Sequence, residues 1–444
     1  MLGTLLLMLP IARTGAPAWP GGSPARLAGP ALEGGAPLSA AFFTATSASC
    51  VTGLIVVDTQ TYWTTFGHVV LAILMEIGGL GTMTLGALMA LLIADRLNLR
   101  QRIVVASVAG LVSPREIAAV VRRIVMYSLG IQALFAIPMV LDLFWRKGES
   151  FSHALGHGVF FAVSAFNNAG FSLYTDSLMS FATDPLMILP ISFLIIIGGL
   201  GFPVLIEFRR ALKARGKTLM YFSLNTRMVL FGTAALLLGG WAAIAILEWN
   251  NQATMASLSV PGKLLLSFFT AVSPRTAGFN AMDIGAQSDV TLLVTDFLMF
   301  IGGGPAGTAG GMKVTTALVL FFMVLTEVKA GRAVNVLGSR IGRSVHRQAT
   351  TVLVLAFTIV VVCTGVMMLL TEHGMDRSLF EVTSALGTVG LSTGITPTLP
   401  ISVQIMLTLL MFFGRVGPIT VATALAINPQ MPRFELPKER PLIG

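Results

Sequence analysis

Four short stretches put small and polar residues where backbone chemistry could act on an ion. They are "FTATSASCVTGL" (Phe43 to Leu54), "FFAVSAFNNAGF" (Phe160 to Phe171), "FFTAVSPRTAGF" (Phe268 to Phe279) and "FEVTSALGTVGL" (Phe380 to Leu391). They align without gaps on Gly53, Gly170, Gly278 and Gly390, each ten residues after a Phe. Three carry Ser six places before the glycine (Ser47, Ser164, Ser384), and the third carries Ser273 one place later. The residues leading into each glycine are Val51 and Thr52, Asn168 and Ala169, Thr276 and Ala277, Thr388 and Val389. Glycine reaches dihedrals that turn successive carbonyls the same way. A ring of such carbonyls can replace the hydration shell of a cation. The structural alternative for any one of these glycines is a helix C-cap. Fourfold recurrence at separations of 117, 108 and 112 residues favours the ion site.

A second glycine cluster follows each first glycine: "GGLG" at Gly78, "GGLG" at Gly198, "GGGP" at Gly302 and "GRVG" at Gly414. The third continues as "IGGGPAGTAGGMK", in which residues 302–311 hold six glycines (Gly302, Gly303, Gly304, Gly307, Gly310, Gly311) and Pro305. Each glycine costs a helix about 1 kcal/mol and proline about 3. The segment therefore breaks a transmembrane helix near its middle, and such a break is tolerated only when covered by protein or lining water. Placed below the four glycines, a movable loop there would act as a gate. Lys313 and Arg415 are the cations best placed to hold it, and Asp296 and Glu76 are alternative buried partners for Arg415. Arg275, in a pore segment, should turn away from the axis, because a cation on the path would repel another.

The elements that position these residues follow from composition. The chain of 444 residues is 55% hydrophobic and 11% charged. Apolar runs reach the roughly 20 residues that span a bilayer. Long helices are expected at about 121–145, 227–249 and 349–371 before the short segments, and at 66–94, 186–208, 291–325 and 401–427 after them. Met1–Pro10 reads as a first helix cut short, with the native start upstream. About ten residues before each glycine suffice for half a bilayer at 1.5 Å each, so each short segment enters and returns on one side. The reading is an all-α polytopic membrane protein of four membrane helix–pore loop–membrane helix units around one central pore. The expected divisions are 1–95, 96–215, 216–330 and 331–430, with a tail at 431–444.

The net charge of +9 is sorted by loop, with 20 of 29 basic residues in 95–123, 207–227, 326–348 and the C-terminal tail. The positive-inside rule places these in the cytoplasm and the short segments on the outside. Nucleic-acid binding is the weaker account of that charge. No nucleotide fingerprint or nucleophile triad appears, and the five histidines are scattered, which argues against an enzyme. Shared orientation of the units argues against a transporter of inverted halves. His153 and His157 have the i, i+4 spacing of a metal pair, although a solvated or capping role is the expected one. Glu381 is expected to complement a helix N-terminus. Cys50 and Cys363 give no disulfide framework.

With these motifs, "NNAGFS", "RTAGFN", "GGGPAGTAGGMKVTT" and "GRVGPIT" above all, the chain resembles the Ktr/Trk/HKT superfamily of potassium transporters, closest to the KtrB type. The resemblance runs from Leu2 to about Pro429 and implies K⁺ selectivity by the four glycines. Relatives with serine in the first unit favour Na⁺, so Gly53 implies K⁺; a Trk-type or less selective K⁺/Na⁺ transporter is the alternative. It further implies gating by the intramembrane loop, a homodimer, and a cytoplasmic ring of nucleotide-binding KtrA-type subunits. No cofactor is expected on this chain, K⁺ is the substrate, and Na⁺ dependence stays open.

Overall fold

A computed structural model describes residues 1–19, 27, 33–95, 114–213, 222–331 and 333–417. The helices are α1 (Leu2–Met8), α2 (Leu38–Ser49), α3 (Thr65–Asp95), α4 (Pro114–Leu141), α5 (Phe151–Phe166), α6 (Pro185–Leu200), α7 (Phe202–Lys213), α8 (Leu224–Glu248), α9 (Val260–Val272), α10 (Asp289–Phe300), α11 (Val314–Val328), α12 (Arg343–Leu370), α13 (Met375–Gly387) and α14 (Ile401–Val416). A π turn, Asp142–Arg146, ends α4, and a two-residue hairpin, Asn335–Val336 with Ser339–Arg340, joins α11 to α12.

Side-chain caps set several starts. The hydroxyls of Ser223, Ser259 and Ser288 accept from backbone N–H groups in the first turns of α8, α9 and α10, and Asp184 does so for α6. Each satisfies a donor that a helix start leaves unpaired. Among the described residues four stretches are long and apolar enough to cross a membrane: Thr65–Thr84, Val121–Arg146, Leu224–Glu248 and Arg343–Leu370. Their outward faces expose Ile77, Leu134, Ile246 and Phe357, the dress of a lipid-facing surface. By contrast α2, α5, α9 and α13 have 12, 16, 13 and 13 residues, about 18–24 Å of helix.

The four units close into a ring. Three of the short helices pack against the helix that follows in the same unit, α2 on α3, α5 on α6 and α13 on α14, while α9 packs on α8, which precedes it. Each unit's last helix also packs on the next unit's short helix: α3 on α5, α6 on α9, α10 on α13, and α14 back on α2. The protein is thus an all-α membrane protein with four short helices gathered around one axis.

Two expectations need correction. The helix read over 186–208 is not continuous: it breaks at Gly201, with a bend of 101° between α6 and α7. Gly201 has φ +92°, and a Cβ there would lie 3.2 Å from the backbone nitrogen of Gly307. The glycine-rich loop docks into the break, a long-range cause that hydropathy does not carry. Glu381 does not lie at a helix start. It is buried in the middle of α13, where its carboxylate accepts from Ser392 Oγ (2.5 Å), Thr393 N–H (3.1 Å) and Thr396 Oγ1 (2.8 Å) of the segment after Gly390. The end of the run read over 401–427, and the tail 431–444, lie outside the described residues, as do residues 96–113 of the first basic loop and 214–221 of the second.

Candidate functional site

The last turn of each short helix passes into the same backbone path. Gly53, Gly170, Gly278 and Gly390 have φ of +92°, +69°, +78° and +93°. Two residues earlier, Val51, Asn168, Thr276 and Thr388 also have positive φ, +56°, +58°, +68° and +51°. Non-glycine residues reach that region at a cost, so four of them at one register position mark an imposed geometry. Left-handed residues alternating with Thr52, Ala169, Ala277 and Val389 turn neighbouring carbonyls toward a common side.

The serines hold this path. The N–H of Gly53 donates to Ser47 Oγ at 3.0 Å, and that of Gly390 to Ser384 Oγ at 3.1 Å. Ser164 Oγ donates to Phe171 O at 2.9 Å, and Ser273 Oγ to Phe279 O. The one-place shift of Ser273 thus preserves its reach. The N–H groups of Thr52, Ala169 and Val389 each donate at 2.8 Å to the carbonyl of the same serine.

The four glycines meet. A Cβ on Gly53 would lie 3.0 Å from Cα of Gly170; on Gly170, 2.9 Å from Cα of Gly278; on Gly278, 3.2 Å from Cα of Gly390; and on Gly390, 3.0 Å from Cα of Gly53. The cycle closes, and no side chain fits within it. All four line one cavity of about 190 Å³, together with Asp58 and Asp283 and, among the described residues, without a Lys, Arg or His. Those two aspartates were not singled out from the sequence. The signal was present, because each lies five residues after its unit's glycine.

The second glycine clusters have a separate cause. A side chain at Gly78, Gly198 or Gly414 would overlap the carbonyl of Ser49, Phe166 or Leu386. Each of those carbonyls lies four residues before the unit's first glycine. The following helix therefore touches backbone at the end of the short helix. The third unit departs from this rule, since Gly302 instead abuts the carbonyl of Gly310 within the glycine-rich loop.

That loop is built against the underside of the ring. Ile301 bridges Met312 at its base, with Gly302 N–H donating to Met312 O at 2.8 Å and Val314 N–H to Gly303 O at 3.0 Å. Gly304 N–H donates to Gly199 O (2.8 Å), Thr308 N–H to Gly198 O (3.2 Å) and Thr308 Oγ1 to Phe166 O (3.2 Å). Gly310 faces the Thr388 side chain, and Gly311 lies beside Gly387. Lys313 Nζ donates to Ala309 O at 2.7 Å. Arg415 donates to Thr308 O, to Gly78 O at 2.7 Å and to Thr82 Oγ1 at 3.1 Å. Among the described residues Arg415 meets no carboxylate, so the ion-pair alternative does not hold. Glu76 instead accepts from Asn167 Nδ2 (2.6 Å) and Gln132 Nε2 (3.0 Å), and one oxygen of Asp296 is buried without a partner. Arg275 is buried and reaches Gly302 O and Thr233 Oγ1 at 3.4 Å, at the base of the loop.

His153 and His157, in the first two turns of α5, come together with Glu149, which precedes that helix.

Comparison with known proteins gives a consistent picture. Residues 27–435 match the family model described as TrkH, cation transport protein. The chain is 36% identical over 430 residues to Ktr system potassium uptake protein B of Bacillus subtilis, covering 97% of this chain and 91% of that protein. It is 34% identical over 418 residues to the potassium/sodium uptake protein NtpJ of Enterococcus hirae, covering 91% and 89%. The crystal structure of the potassium transporter TrkH from Vibrio parahaemolyticus superposes with a TM-score of 0.70 at 19% identity, over 88% of this chain and 78% of that one, which supports the fold.

Proposed function

Because the chain belongs to the TrkH family of cation transport proteins, as a Ktr/Trk-type potassium uptake transporter and not an enzyme, we propose that it is the pore subunit of a Ktr-type system carrying K⁺ across the cell membrane. The observation that carries this reading is the closed cycle of four positive-φ glycines at the floor of a cavity bearing Asp58 and Asp283. Carbonyls of residues 51–53, 168–170, 276–278 and 388–390 replace water around a dehydrated cation. The four short helices point their partially negative C-terminal ends at the same place. The two aspartates raise the local concentration of cations at the mouth. The loop from Gly302 to Gly311 closes the path below, with Lys313 and Arg415 fastening it to the frame through carbonyls rather than through salt bridges. Transport runs down the electrochemical gradient. Control comes from a separate cytoplasmic nucleotide-binding ring acting on a homodimer of this chain, with the basic loops and the C-terminus on the cytoplasmic side.

Uptake of ⁸⁶Rb⁺ into liposomes, with K⁺ and Na⁺ as competitors, tests the assignment. K⁺ should compete at concentrations at least about tenfold below Na⁺, a difference of ~1.4 kcal/mol. Equal competition would favour a less selective K⁺/Na⁺ transporter, a reading that the potassium/sodium name of the Enterococcus hirae relative keeps in view. Absence of uptake by folded protein would refute both.

A further inference from the structure

One cluster of ligating side chains has no part in the ion path. Glu149 precedes α5, and His153 and His157 follow at successive four-residue steps. One helical turn sets the two imidazoles over each other, with ring centroids 4.0 Å apart. Glu149 Oε2 lies 3.0 Å from His153 Nδ1. One donor atom from each of the three residues lies within 4.8 Å of the others. His157 is only 8% exposed, and its Nδ1 has no hydrogen-bond partner. Leaving such a nitrogen unsatisfied is costly, and a ligand would offset that cost. Burial works against the charge on Glu149, but hydrogen bonds from His153 and Tyr174 outweigh it and hold the carboxyl below its ordinary range.

Two imidazoles and a carboxylate suit a borderline transition metal better than the hard cations Mg²⁺ or Ca²⁺. A tetrahedral zinc site with bonds of about 2.0–2.1 Å needs donors about 3.3 Å apart. The side chain of His153 is 58% exposed and that of Glu149 22%, which leaves both room to rotate toward that spacing. The exposure of His153 also gives the ion an approach and leaves water a coordination place.

We propose that Glu149, His153 and His157 bind a divalent transition-metal ion, Zn²⁺ being the expected one, and that Tyr174 passes its presence to the cavity above the four glycines. The Tyr174 hydroxyl donates to Glu149 Oε1 at 2.8 Å, and its ring meets His157 edge-on at 5.0 Å. The same tyrosine lines that cavity. Its neighbour Thr175 donates to Asp58 Oδ2 at 3.0 Å. A bound cation competes with Tyr174 for the carboxylate and adds positive charge beside the mouth. Both effects should slow cation uptake.

Co²⁺ titration of the full chain, followed by absorbance and displaced with Zn²⁺, reads the site without any transport. It therefore stands apart from the proposed ion path. The parent should bind one Co²⁺ saturably, and His153→Ala and Glu149→Gln should each weaken binding by about tenfold or more. Indistinguishable titrations of the parent and both variants would overturn the site. The second measurement is the ratio of ⁸⁶Rb⁺ uptake with and without Zn²⁺ on the mouth side. That ratio should fall at least about twofold in the parent and stay near one in His153→Ala. In Tyr174→Phe it should stay near one although Co²⁺ still binds. A parent ratio near one with Co²⁺ bound would overturn the link to the mouth.

Discussion

Gly53 shows what a single residue does in this protein. Its φ of +92° is open to glycine and costly to anything with a Cβ, and the space a Cβ would enter is held by Ala169 and Gly170 of the next unit. Each of the four glycines is constrained twice, by its own dihedral and by its neighbour in the cycle. A side chain would have to push two backbones apart, which changes carbonyl spacing before it unfolds anything. Gly53→Ser and Gly278→Ser should each lower discrimination between K⁺ and Na⁺ by about tenfold, equivalent to ~1.4 kcal/mol. Competition curves for ⁸⁶Rb⁺ uptake measure this, and unchanged curves in both variants would remove these glycines from the selectivity site. The serines act one step behind. Ser47 and Ser384 hold glycine N–H groups, while Ser164 and Ser273 hold the carbonyl beyond the glycine.

Among the elements, the stretch from Gly302 to Gly311 differs most from its counterparts. Three units use the second glycine cluster to seat a helix against the end of a short helix; the third uses it to fold a loop back on itself. The loop has glycine at the points where it crowds Gly199, Leu200 and Thr388, so its sequence is the imprint of close packing. Backbone hydrogen bonds to Gly198 and Gly199 seat it, and the charged groups that hold it are Lys313 on Ala309 O and Arg415 on Thr308 O. Deleting Ala306 to Gly310 should raise K⁺ flux severalfold while leaving selectivity near that of the parent. Arg415→Ala should shift flux the same way by a smaller factor, because of the three hydrogen bonds it removes only the one to Thr308 O holds the loop, a charge-assisted bond of ~1.5–3 kcal/mol. Flux from liposomes with matched amounts of folded protein decides the matter. A deletion that conducts no faster would make the loop a fixed structural break.

For the whole molecule, the sorted charge and the ring of helices make one statement. The hairpin between α11 and α12 carries Arg340, and the loops before and after it belong to the basic set. The cavity with Asp58 and Asp283 should lie on the opposite face of the membrane. Cysteines placed at Arg100, Lys213 and Arg340 in intact cells should resist an impermeant thiol reagent, whereas one at Gln60, beside the cavity, should be labelled. Outside labelling of any two of the first three would invert the arrangement.

What the sequence determined by itself was the repeated unit, the apolar class and the positions of the four glycines, because these are periodic and local. Hydropathy marks a span wherever about 20 apolar residues run together, and a gapless alignment needs no contacts to be seen. The unit also carried the unread signal of Asp58 and Asp283 at one register position. Only the tertiary structure decided how glycines more than a hundred residues apart close into one cycle, why α6 and α7 part at Gly201, and which groups Arg415 holds. Glu381 moved from a supposed helix start to a buried tie on the segment after Gly390 for the same reason. Each of these depends on backbone from another unit approaching closely. A linear sequence records such an approach as a glycine or a lone polar residue, without recording what approaches it.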